Sequence, residues 1–106
     1  MLLREQDGDS RVTLAVGDTL EVVLEENATT GYLWQVAELS GVSLDGSELR
    51  PATDFRPGAA GQHRFRFRAV AAGEGRLLIE LRRPWENEAT AARRFSVELS
   101  VTSSTP

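Results

Sequence analysis

The residues that could do acid–base or nucleophilic chemistry are few in this sequence, and their spacing does not suit a catalytic site. His63 is the one histidine, and it alternates with Phe65 and Phe67 in a pattern that turns all three inward on a strand. A nucleophile needs a base within reach and usually a third group that orients the base. There is no Gly-x-Ser-x-Gly motif, and no partner for His63 is evident. We therefore expect a structural histidine, no catalytic residues and no enzyme activity.

Carboxylates and metal ligands lead to the same expectation. Glu25 and Glu26 are adjacent, but neighbouring residues of a strand point to opposite faces of the sheet, so the two carboxylates cannot easily share a substrate. The sequence has no cysteine, and it lacks phosphate-binding loops, dinucleotide-binding motifs and clusters with metal-ligand spacing. We expect no cofactor and no metal site.

A row of arginines is the strongest charge feature. Arg64, Arg66 and Arg68 share one face of a predicted strand, where they could meet an acidic partner or a phosphate backbone. No aromatic residue interleaves on that face, and the formal net charge of −4 argues against a nucleic-acid partner. The pattern favours a solvated face whose arginines pair with acidic residues such as Glu80 or Glu98.

Three polar or turn-forming segments interrupt the strand pattern, at 27–31, 56–61 and 82–87. In the first, Thr29 and Thr30 are β-branched and Asn27 can form an Asx turn, so this loop is expected to be stiff. The second is rich in glycine and alanine, which would let its backbone approach another surface closely. The third places Trp85 directly after Pro84; such a tryptophan either anchors an interface or folds back to cap the core.

Alternation of apolar and polar residues extends over most of the chain and indicates β-strands. The inward positions are Val12, Leu14 and Val16; Leu20, Val22 and Leu24; Tyr32, Trp34 and Val36; His63, Phe65, Phe67 and Ala69; Leu77, Ile79 and Leu81; and Phe95, Val97, Leu99 and Val101. A short strand is predicted around Val42–Leu44, and an edge segment interrupted by Pro51 at 49–55. About seven or eight short strands without a helical period predict an all-β sandwich.

The length of 106 residues fits one domain, with a core from about 11 to 101 and a tail at 102–106. Hydrophobic residues make up 41% and charged residues 26%, which is ordinary for a globular protein. No stretch approaches the roughly 18 apolar residues of a membrane span, and no signal peptide is evident. We expect a monomer with no membrane partner, cytoplasmic as the chain stands and periplasmic or secreted if a leader was removed.

Two motifs with a glycine-containing segment between them resemble the chagasin family, inhibitors of papain-like cysteine proteases. The first motif, Asn27-Ala28-Thr29-Thr30-Gly31-Tyr32, is similar to the family's Asn-Pro-Thr-Thr-Gly followed by Tyr or Phe. The middle segment is Pro57-Gly58-Ala59-Ala60-Gly61, and the late motif is Arg83-Pro84-Trp85. The resemblance covers the chain from about Val12 to Val101. Ala28 replaces the family's proline, and the middle segment holds fewer glycines than is usual.

The resemblance implies an immunoglobulin-like sandwich with three functional loops at one end, and reversible, non-covalent inhibition. It implies that Thr29, Thr30 and Gly31 enter the protease cleft, that Trp85 is an aromatic anchor and that Arg83 orients its loop. The other residues implied to contact the protease are Asn27, Tyr32, Pro57, Gly58, Gly61 and Pro84. A second interpretation is a non-inhibitory immunoglobulin-like module that binds another protein through the same loops.

Overall fold

A computed structural model provides the fold and describes residues 1–26, 31–50, 61–83, 85 and 91–103. The described residues form eight strands and one short 3-10 helix at Glu5–Asp7. The strands are β1 (Leu2–Arg4), β2 (Ser10–Ala15), β3 (Thr19–Glu26), β4 (Leu33–Leu39), β5 (Val42–Arg50), β6 (Gly61–Ala69), β7 (Gly73–Arg82) and β8 (Arg93–Thr102). In this part of the chain no helix is long and apolar enough to cross a membrane.

The strands form two four-stranded sheets, which confirms the predicted sandwich. One sheet has the order β1-β3-β6-β5, and the other has the order β2-β8-β7-β4. The segment at 2–15 contributes to both sheets, because β1 pairs in parallel with β3 and β2 pairs in parallel with β8. The remaining neighbours pair antiparallel. The chain therefore has the immunoglobulin-like arrangement of two facing sheets.

The core lies between the sheets and follows the predicted inward positions. Its largest fully buried side chains are Phe67, Phe95, Leu20, Leu24, Leu77, Ile79, Leu99, Val22 and Val97. Trp34 is also buried, with 2% of its surface exposed. Each such side chain contributes about 1.5–3 kcal/mol through removal from water. Leu3 of β1 belongs to the same core, although the sequence pattern placed the start of the core near residue 11.

Strand β5 differs from the prediction of a short strand at Val42–Leu44 followed by a separate segment at 49–55. The structure has one strand, Val42–Arg50, at the edge of its sheet. A register shift between Leu44 and Gly46 lets the strand continue past the glycine, as a β-bulge does. Residues 51–55 lie outside the described residues.

The arginines of β6 lie on a solvated face, as predicted, but they pair with acidic residues other than the predicted Glu80 and Glu98. Arg64 and Arg66 pair with Glu21 of β3, and Arg68 pairs with Asp45, at distances of 3.6, 3.4 and 3.8 Å. Strand β6 lies between β3 and β5, whereas the glutamates expected as partners are on β7 and β8 in the other sheet. These exposed pairs contribute at most about 1 kcal/mol each.

Candidate functional site

The described strand ends that flank the three loop segments meet at one end of the sandwich. In one sheet Glu26, the last residue of β3, pairs with Gly61, the first residue of β6. In the other sheet Leu33 of β4 pairs with Arg82 of β7. The ends that flank 27–32 therefore adjoin the ends that flank the other two segments. We call this end the loop pole; its described residues are Glu26, Gly31, Tyr32, Leu33, Gly61, Arg82, Arg83 and Trp85.

Gly31 and Trp85, from different loops, are in direct contact at the loop pole. Gly31 has a φ angle of +81°, which favours glycine because a side chain is strained there. A Cβ at this position would lie 2.5 Å from Cη2 of Trp85, so the absence of a side chain makes room for the indole. Trp85 is nonetheless 68% exposed. The interpretation that Trp85 folds back to cap the core is therefore wrong.

A second contact joins the same two loops. The guanidinium carbon of Arg83 lies 4.4 Å from the centre of the Tyr32 ring, which is the geometry of a cation–π interaction. Tyr32 is half-buried and packs against the core. Such a contact is worth about 0.5–1 kcal/mol at an exposed site and more where water is excluded. It fixes the start of the Trp85 loop to the side chain that follows Gly31.

Glu80 supports the end of β7 from which that loop begins. Arg82 donates a hydrogen bond from Nε to Oε1 of Glu80 over 3.0 Å, and Nε of Arg94 lies 3.1 Å from the other carboxylate oxygen. Glu80 is mostly buried, with 8% of its surface exposed. The hydrogen bond from Arg82 is the main reason that the pKa of Glu80 is lowered, and the nearby charges of both arginines lower it further.

The base of the loop pole contains a buried polar network that sequence reasoning missed. Glu26 is 2% exposed; its Oε1 accepts a hydrogen bond of 2.6 Å from the backbone N–H of Trp34 and lies 3.2 Å from Nδ1 of His63. The indole Nε1 of Trp34 donates to the backbone oxygen of Glu25 over 2.8 Å. His63 lies in this network, although no partner for it was evident from the sequence. Glu26 continues the inward alternation of β3, and that was the available signal.

The candidate contact residues divide into those the structure brings together and those it does not. Gly31, Tyr32, Arg83 and Trp85 lie together at the loop pole. Gly61 is buried in β6 because its backbone pairs with Glu26, so the structure places it in a strand and not in a loop. Asn27, Thr29, Thr30, Pro57, Gly58 and Pro84 lie outside the described residues. Among the residues that are described, no group of histidine and carboxylate side chains could hold a metal ion.

Comparison of the sequence with known proteins identifies relatives over nearly its whole length. The model of the family described as chagasin family peptidase inhibitor I42 matches residues 13–99. Amoebiasin-1 of Entamoeba histolytica is 31% identical, in an alignment that covers 95% of this chain and 99% of the relative. Chagasin of Trypanosoma cruzi is 30% identical, with 83% of this chain and 86% of chagasin covered.

Solved structures share the fold. The crystal structure of the cysteine protease inhibitor EhICP2 from Entamoeba histolytica superposes with a TM-score of 0.84 at 19% identity, covering 94% of this chain and 93% of that one. PbICP-C in complex with falcipain-2 gives a TM-score of 0.55 at 21% identity, covering 97% of this chain and 89% of that one. At these identities the two structures establish the fold alone.

Proposed function

The chain belongs to the chagasin family of peptidase inhibitors, and we propose that it inhibits papain-like cysteine proteases reversibly through the loop pole. It is an inhibitor and not an enzyme. The observation that carries the role of the loop pole is the contact between Gly31 and Trp85, which presents an exposed indole beside the first loop. Large exposed aromatic side chains on a rigid support are typical anchors of protein interfaces.

The physical basis of inhibition is occlusion of the active-site cleft. In this proposal Thr29, Thr30 and Gly31 fill the cleft beside the catalytic cysteine, and Trp85 packs on the surface next to it. Inhibition is reversible because the inserted loop presents no carbonyl to the thiolate in the geometry of attack. A contact of this kind buries on the order of 800 Å² on each partner.

Pre-organisation is what lets a small domain bind tightly in this way. The strand ends at the loop pole are held by paired backbones, and the Arg83–Tyr32 contact joins two of the loops before a protease arrives. Less conformational entropy is lost on binding when the contacting groups are already ordered. Candidate contacts on the middle segment are Pro57 and Gly58, whereas Gly61 supports that segment from within β6.

A titration against papain and cathepsin L with a fluorogenic peptide tests the proposal. We expect micromolar protein to abolish hydrolysis, activity to return on dilution, and mass spectrometry to detect neither a covalent adduct nor a cleaved inhibitor. A serine protease such as trypsin serves as the control and should keep its activity. Full papain activity at micromolar protein would refute the proposal and favour a non-inhibitory interaction module.

A further inference from the structure

Glu26 is a buried carboxylate that the proposed binding mode does not use. Its side chain is 0% exposed, so it cannot touch a docked protease. Oε1 faces the backbone N–H of Trp34 and Nδ1 of His63, whereas Oε2 is buried without a hydrogen-bond partner in the described part of the chain. A buried carboxylate that is only partly satisfied costs free energy in the folded state. Its presence therefore needs an explanation other than general stability.

The position of Glu26 in the fold suggests that explanation. Glu26 ends β3 and is the last residue before segment 27–30, and Trp34 is the second residue of β4, in the opposite sheet. One hydrogen bond thus connects the two ends of the first loop across the two sheets. His63 adds the beginning of β6, which follows the middle segment 51–60. The Glu26 network, consisting of Glu26, Trp34 and His63, joins strand ends that flank two loops.

Two further contacts hold Trp34 in this network. Its indole Nε1 donates to the backbone oxygen of Glu25, so both the backbone and the side chain of Trp34 are attached to the end of β3. The guanidinium carbon of Arg93, the first residue of β8, lies 5.8 Å from the Trp34 ring centre. The sequence has no cysteine, so no disulfide can link the sheets at this point. Hydrogen bonds to a charged acceptor are roughly twice as strong as neutral ones, which suits them to this task.

We infer that Glu26 is a positioning residue for protease inhibition: its carboxylate fixes the separation and direction of the strand ends on both sides of the first loop. The inference rests on the proposed function, because it concerns how the inhibitory loop is held. Removal of the carboxylate should leave the hydrophobic core intact but break the hydrogen bond to the backbone N–H of Trp34, so that only the indole still attaches Trp34 to the end of β3. The first loop then samples more conformations before it binds, and affinity falls through lost pre-organisation.

The test compares three variants of the whole chain. Glu26→Ala removes the carboxylate, and Glu26→Gln retains an acceptor oxygen for the N–H of Trp34. Leu14→Ala is the stability control, because Leu14 is buried and pairs with Val101 at the end of β8 remote from the loop pole. For each variant the inhibition constant for papain, the thermal midpoint and the exchange rates of the Trp34 backbone and indole N–H groups are measured by titration, calorimetry and NMR.

We expect Glu26→Ala to raise the inhibition constant about tenfold or more and to speed hydrogen exchange of the Trp34 backbone N–H. Glu26→Gln should stay within about threefold of the unaltered protein. Leu14→Ala should lower the thermal midpoint without changing the inhibition constant at a temperature where it is folded. The inference is overturned if Glu26→Ala inhibits like the unaltered protein, if Leu14→Ala weakens inhibition equally, or if Trp34 exchange is unaffected. Failure of the unaltered protein to inhibit overturns the proposed function instead, and the exchange rates then decide whether Glu26 holds Trp34.

Discussion

The contact between Gly31 and Trp85 makes Gly31→Ala a sharp test of the loop pole. Its effect has two parts. Gly31 has a φ angle of +81°, and an alanine in such a left-handed conformation costs about 1 kcal/mol in stability. In addition, the new Cβ would lie 2.5 Å from Cη2 of Trp85. Ordinary contact between carbon atoms is about 3.5–4.0 Å, so the indole must move by about 1 Å.

Displacement of Trp85 should weaken inhibition and leave the fold intact. The indole is 68% exposed, so it can turn away from the new methyl group without disturbing the core. Truncation of an anchoring tryptophan typically costs about 2 kcal/mol or more, and displacement should approach that figure. We therefore expect the inhibition constant for papain to rise about 10- to 30-fold. The assay is the fluorogenic titration, with the thermal midpoint measured in parallel.

Gly17→Ala is the matched control. Gly17 has a φ angle of +97°, and a Cβ there would meet nothing within 4 Å. It follows β2 at the end of the sandwich remote from the loop pole, where its N–H donates to the backbone oxygen of Ala69. Both variants should lose about 1 kcal/mol of stability, or roughly 4 °C or more in the thermal midpoint, but only Gly31→Ala should lose inhibition. Equal inhibition by the two variants would refute the claim that Gly31 positions Trp85 for binding.

Three other changes have defined outcomes. Trp85→Ala should raise the inhibition constant about 30-fold or more without lowering the thermal midpoint; unfolding in calorimetry would mean that Trp85 is structural. Thr30→Ala should raise the constant about fivefold through a lost polar contact, and an unchanged constant would contradict the role of Thr30. The lowered pKa of Glu80 means that its bonds to Arg82 and Arg94 stabilise the fold fully above pH 4.5 and progressively less as the pH falls below it. The free energy of unfolding, measured with urea at neutral and acidic pH, should therefore fall less on acidification for Glu80→Gln than for the unaltered protein.

The fold was largely predictable from the sequence because one physical signal dominates it. Strict alternation exposes one face of each strand, so Phe65, Phe67, Val97 and Leu99 could be assigned to the core without coordinates. The N-terminal strand was missed because β1 has three residues and buries Leu3 alone. An alternation of apolar and polar residues cannot be recognised in so short a segment.

The candidate site was less predictable, since it depends on contacts between segments distant in the chain. Periodicity carries no information about which loops share an end of the sandwich, and that expectation came from the resemblance to a family. The contact between Gly31 and Trp85 can be recognised only from the three-dimensional structure. Glu26 could have been noticed, because a carboxylate at an inward position demands a partner, and His63 is also inward. Which strand supplies that partner depends on the order of strands in the sheet.

The division of the N-terminal segment between the two sheets covers one edge of each sheet. β1 covers the open side of β3, and β2 covers the open side of β8. Deletion of residues 1–9 would uncover unpaired N–H and C=O groups along β3, beside Val22 and Val23, and would remove Glu5, which pairs with Arg93 next to Trp34. Exposed edges of this kind are templates for aggregation. A shortened chain should thus aggregate more readily than the whole chain.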